Sequence, residues 1–162
     1  MRGVKDEKMA RPSLRHASAH PFNGLDMPVL LENQARRHAD HAFLVWEPFE
    51  GSGQTWSYAE FAHDTARLAV GMAKRGVSKG DFVLVHLENC PAFLLAWFAC
   101  ARLGAVAVTT NTRSAGEELR YYTENAGVSY AITQPEFADL IASHCPDLNW
   151  IAVTSTDASG AP

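Results

Sequence analysis

Short apolar runs alternate with helical runs between Asp81 and Thr133, and this alternation limits the folds open to the chain. Asp-Phe-Val-Leu-Val-His-Leu (81–87), Ala-Val-Ala-Val-Thr (105–109) and Val-Ser-Tyr-Ala-Ile-Thr (128–133) are apolar almost throughout, not at every second residue. Strands buried on both faces have that composition, and such strands belong to parallel sheets covered by helices. Helical segments 91–103 and 115–126 separate them. The order predicts an α/β fold: a parallel βαβ sheet flanked by helices.

Helix ends can be read from short-range chemistry. Asn89 is a candidate cap for helix 91–103, with Pro91 near its first position, where a missing N–H costs nothing. Gly104 and Gly127 fit helix stops, since glycine adopts the left-handed conformation freely. Ser114 and Glu117 stand at capping-box spacing, as do Ser57 and Glu60. The helix opened by Ser57 is expected to run to about Arg75 and to bury Phe61, Leu68 and Met72, with Thr65 between them.

Upstream, Asp26 and Pro28 start a helix that ends near Arg36, Arg37 and His38. Ala42–Trp46 and Gln54–Trp56 read as strands of a hairpin, turned by Glu50-Gly-Ser-Gly53. That Gly-Ser-Gly lacks the Lys and Ser/Thr of a phosphate loop. Downstream, Pro135 starts a short helix to residue 143, and Trp150–Thr154 is a last strand. The expected division is an unstructured start (1–25), one folded unit (26–154) and a linker or truncated end (155–162).

Composition excludes several classes. The net charge of -4 gives no nucleic-acid signal. Five basic residues fall within residues 1–25, but no apolar stretch follows as a secretory signal requires. The longest apolar block, 91–103, is too short to span a bilayer. Three cysteines without CxxC spacing argue against a disulfide framework or structural zinc, and for a reducing, cytoplasmic setting.

Each candidate for chemistry has a structural reading beside it. His86 and Cys90 are a conceivable nucleophile pair, against a buried thiol beside a core histidine. His38 and His41 suggest a metal, but no further ligand is near in sequence. His144-Cys145 is weaker again. Arg102 could reach a phosphate or could complete a helix dipole, and the dipole is favoured. Asn111-Thr-Arg113 lies past a strand end, where open α/β sheets bind ligands, and also suits an Asx turn. Trp97 and Phe98 read as packing residues. No catalytic, cofactor-binding or metal-ligating residue is assigned.

Asn-Cys-Pro-Ala-Phe-Leu-Leu-Ala-Trp-Phe-Ala-Cys-Ala-Arg-Leu-Gly-Ala-Val-Ala-Val (89–108), followed by Asn111-Thr-Arg and Glu117-Glu-Leu, resembles the N-terminal region of AMP-forming acyl-CoA synthetases. Thr55-Trp-Ser-Tyr-Ala-Glu-Phe (55–61) and Gly76-Val-Ser-Lys-Gly-Asp81 fit the same pattern, so the resemblance runs from about Asp26 to Thr154. The Asn-Cys-Pro and Ala-Trp-Phe wording resembles crotonobetaine/carnitine-type ligases. The resemblance implies a ligase that uses ATP, Mg2+ and coenzyme A to activate a carboxylic acid as an acyl-adenylate. It also implies that the Pro-Lys-Gly phosphate loop, the adenine and ribose motifs and the catalytic lysine lie downstream of residue 162. On that reading the chain is inactive alone and exposes an apolar face that favours self-association. The alternatives are a stand-alone flavodoxin-like binding or regulatory module and a truncated product with no activity.

Overall fold

The computed structural model describes residues 24–49 and 51–155. The expected unstructured start falls almost wholly outside them, as does most of the expected linker. Eleven elements follow in order: α1 (Met27–Arg37), β1 (Ala42–Trp46), β2 (Gln54–Ser57), α2 (Tyr58–Lys74), β3 (Phe82–His86), α3 (Pro91–Leu103), β4 (Val106–Thr109), α4 (Gly116–Ala126), β5 (Tyr130–Thr133), α5 (Pro135–His144) and β6 (Trp150–Val153).

β3 to β6 form one sheet in the order β4-β3-β5-β6, and every pairing is parallel. The chain leaves β3 toward one edge, makes β4, then crosses back to place β5 on the other side of β3. The sheet is therefore doubly wound about β3. Alternate side chains of that strand serve two cores. Val83, Val85 and Leu87 pack with Ala69 and Met72 of α2 and Ala96, Ala99 and Cys100 of α3. Leu84 packs on the opposite face with Leu119 of α4 and Ile141 of α5. This double burial is why the strand reads as an unbroken apolar run.

β1 and β2 pair antiparallel as the expected hairpin. They join the helical layer through a third core of Leu31, Trp56 and Phe61. Phe61 is fully buried, with its ring centroid 4.5 Å from that of Phe43 and 5.3 Å from that of Phe98.

Most caps follow local chemistry. Asp26 Oδ1 accepts from the Val29 N–H at 2.8 Å. Ser57 and Glu60 form the full reciprocal box, at 3.2 and 2.8 Å. Gly104 and Gly127 take left-handed conformations, with φ of 68° and 69°. Three expectations require correction. Helix α3 is capped at Cys90, not Asn89, and without a side-chain bond. Helix α4 starts one residue late: Glu118 Oε2 accepts from the Ala115 N–H at 2.8 Å, and since Ala115 has no side-chain oxygen the Glu118 N–H donates to its backbone carbonyl at 3.0 Å instead. The shift arises because Ser114 belongs to the preceding turn, its N–H donating to the Asn111 carbonyl at 2.9 Å. Trp97 is a third correction, since it is 42% exposed, whereas Phe98 packs against the third core.

Candidate functional site

The carboxyl ends of β3, β4 and β5 meet where the winding reverses, the position at which open α/β sheets form ligand crevices. A cleft of about 690 Å³ opens there, lined among others by Glu88, Asn89, Phe93, Asn111, Thr112 and Arg113. The turn expected at 111–113 is present: Asn111 Oδ1 accepts from the Arg113 N–H at 2.9 Å. The Asx turn and the cleft wall are thus one feature, not rival readings. Arg113 is exposed. A guanidinium on a cleft wall recognises carboxylate and phosphate groups through its fixed fork of donors.

Side chains tie the three strand ends together. His86 Nδ1 lies 2.8 Å from Thr110 Oγ1. Thr112 Oγ1 donates to Glu88 Oε1 at 2.8 Å. Gln134 Oε1, after β5, accepts from the Glu88 N–H at 2.9 Å, and Thr133 Oγ1 donates to the His86 carbonyl at 2.8 Å. Glu88 and Gln134 do not stand out in sequence, whereas Thr110 and Thr112 fall within the stretch 109–113 that the sequence offers as a cleft-lining loop. The available signal was the polar run Thr109–Thr112, placed just past an apolar strand.

His86 and Cys90 do not form a nucleophile pair. The imidazole is fully buried, bonds Thr110 and lies with its ring centroid 4.9 Å from that of Phe137. Burial pushes its pKa down from the usual histidine value, with Glu88 opposing. Cys90 is half-buried at the α3 start, and burial pushes its thiol up, away from the thiolate a nucleophile needs. Cys100 is likewise pushed up by burial, to about 11. All three cysteines are unpaired.

The remaining candidates are separate. His38 and His41 are exposed and stack at 5.1 Å. His144 Nδ1 lies 3.0 Å from the Leu140 carbonyl, and the buried Cys145 sulfur is 3.6 Å from the Thr123 hydroxyl. Arg102 reaches neither a ligand cleft nor only its own helix end. Its Nη1 donates to Glu32 Oε1 at 2.8 Å and its Nη2 to the Ala62 carbonyl at 3.4 Å, clamping α1 and α2 to α3. Among the described residues no group of three or more His, Cys, Asp or Glu could hold a metal ion. Among them, too, no helix is long and apolar enough to cross a membrane.

A doubly wound parallel sheet with a cleft at its strand ends defines an open α/β protein, and the comparisons with known proteins narrow that class. The model of the AMP-binding enzyme family matches residues 31–159, and the chain belongs to that family. Crotonobetaine/carnitine–CoA ligases of Salmonella paratyphi A and Salmonella typhimurium are each 34% identical over 114 residues. The match takes in 70% of this chain and 22% of each relative, so the chain spans about a fifth of their length. A fatty acyl-CoA synthetase of Mycobacterium tuberculosis superposes with a TM-score of 0.70 at 22% identity, covering 80% of this chain and 26% of that one. A long-chain-fatty-acid–CoA ligase of Archaeoglobus fulgidus superposes at 0.75 and 15% identity, covering 82% and 28%. These solved structures share the fold.

Proposed function

We propose that residues 26–154 are the N-terminal part of an AMP-forming acyl-CoA ligase. The observation that carries this reading is the 34% identity to crotonobetaine/carnitine–CoA ligases over 114 residues. In the proposed reaction a carboxylate oxygen attacks the α-phosphorus of ATP and pyrophosphate leaves. The coenzyme A sulfur then attacks the acyl carbon and AMP leaves. Bound Mg2+ would neutralise the transferring phosphate charge. This chain contributes the central sheet, the cleft wall and the Arg113 guanidinium, which suits an anionic part of one of these substrates. The groups that cradle and polarise the phosphates belong, by the family pattern, to a longer polypeptide.

The unpaired cysteines support a reducing, cytoplasmic setting. Val106 on edge strand β4, Val153 on edge strand β6 and Trp97 on α3 are 42, 48 and 42% exposed. An unpaired strand edge carrying an exposed apolar residue favours self-association of the chain when it is alone. A clean monomer that binds no hydrophobic dye refutes that.

The function is tested by calorimetric titration of the purified chain with ATP–magnesium and then coenzyme A, beside a pyrophosphate-release assay over a broad acid panel. No saturable heat and no pyrophosphate are expected. Pyrophosphate release by the 162-residue chain overturns the expectation that it is inactive alone. Saturable binding without turnover favours the flavodoxin-like stand-alone module, whose winding pattern is the same.

A further inference from the structure

The backbone ladder between β3 and β4 ends at the pair Val85 and Thr109, with a long closing bond of 3.4 Å from the Thr110 N–H to the Val85 carbonyl. The register does not end there. The next residues in step are His86 with Thr110, Leu87 with Asn111 and Glu88 with Thr112. The first and third of these are joined by side-chain contacts of 2.8 Å. Side chains thus join two of the next three pairs after the backbone bonds stop.

We propose that Glu88 is a positioning residue that fixes the Asn111–Arg113 turn on the wall of the cleft; its link to ligand binding rests on the cleft reading given above. Glu88 is well placed for this. Its own N–H is held from the far side by Gln134, which is only 2% exposed, so the carboxylate projects from an anchored backbone. The carboxylate accepts the Thr112 hydroxyl, and Thr112 sits between the two residues that close the Asx turn. Arg113 is the next residue, so the direction of its side chain follows from the turn. A charged acceptor also makes this the stronger kind of hydrogen bond. His86 and Thr110 form the rung below and keep the base of the loop in register.

The test is amide hydrogen exchange on the purified chain without any ligand, read at Arg113 and Ser114, whose N–H groups close the turn. Glu88→Ala is expected to speed exchange at both by about tenfold, the loss of one charge-assisted bond. Glu88→Gln keeps an oxygen acceptor at the same place and is expected to restore protection. Thr112→Val is expected to reproduce Glu88→Ala, and the double variant to add nothing further. Denaturation of each variant gives the global stability. A merely structural role for Glu88 would speed exchange throughout the sheet and would not be rescued by Gln. Unchanged exchange in Glu88→Ala, or additive effects of the two single variants, overturns the proposal. Because no substrate is present, failure of the ligase reading leaves this result standing, and failure here leaves the ligase reading standing.

Discussion

Replacement of Phe61 by Ala tests how the hairpin and α1 are fastened to the sheet. Phe61 has no exposed surface and packs its ring between those of Phe43 of β1 and Phe98 of α3. It belongs to a core that also holds Leu31 of α1 and Trp56 of β2. Four elements therefore lose contact with one ring. Removing a buried phenyl group costs about 3–5 kcal/mol, the transfer of the ring plus the cavity left behind. The two tilted or edge-on ring pairs place the expected value in the upper half of that range. A domain of this size holds about 5–15 kcal/mol in total, so the loss is about a quarter of it or more. Urea denaturation is expected to show the midpoint falling at constant slope, and heating a fall of about 6–20 °C. Phe61→Leu keeps most of the volume and is expected to lose far less. A loss below about 1 kcal/mol for Phe61→Ala would refute the view that this ring joins the layers.

Other expectations follow from single contacts. Arg102→Met keeps the aliphatic stem and removes the bond to Glu32; a loss of about 1–2 kcal/mol is expected for a partly exposed pair, and no loss in urea denaturation would show that the clamp is idle. Burial lowers the His86 pKa in the folded state, so between the unfolded value near 6.5 and the lower folded value the unfolded chain binds more protons. Stability is therefore expected to fall as pH drops below about 6.5 and to level off below the folded pKa, and His86→Leu is expected to flatten that part of the curve. An unchanged pH profile in His86→Leu would place the dependence elsewhere. A methyl group on Gly116 would lie 2.3 Å from the His144 ring, which is held by the Leu140 carbonyl. Gly116→Ala is expected to cost about 1–3 kcal/mol, with the penalty removed by adding His144→Ala, as read by thermal unfolding.

Several features were legible because they depend on neighbours within about one turn of chain. The capping pair Ser57 and Glu60 needs only its spacing, and its hydrogen bonds hold the Glu60 carboxyl below the usual carboxylate range. The stops at Gly104 and Gly127 need only freedom at positive φ. The cap of α4 failed at the same scale, because Ser114 can serve either a turn or a helix start and the Asn111 turn claimed it. The candidate site was legible only in part. The turn at 111–113 was visible as a polar run past a strand, while the Glu88 bond that holds it joins residues 24 apart.

By itself the sequence determined the class of fold: β-branched runs apolar on both faces, separated by helices, have few ways to bury themselves other than a covered parallel sheet. It also carried the resemblance that the family match bears out. The tertiary structure decided what no local pattern specifies. It set the strand order β4-β3-β5-β6, the partner of Arg102 at a separation of 70 residues, the exposure of Trp97 on an apolar helix, and the meeting of His86, Glu88 and Gln134 at one end of the sheet. The physical reason is range. Propensity, capping and periodicity act between residues close in sequence, whereas these contacts arise only once the winding about β3 has brought distant strand ends within a hydrogen bond of each other.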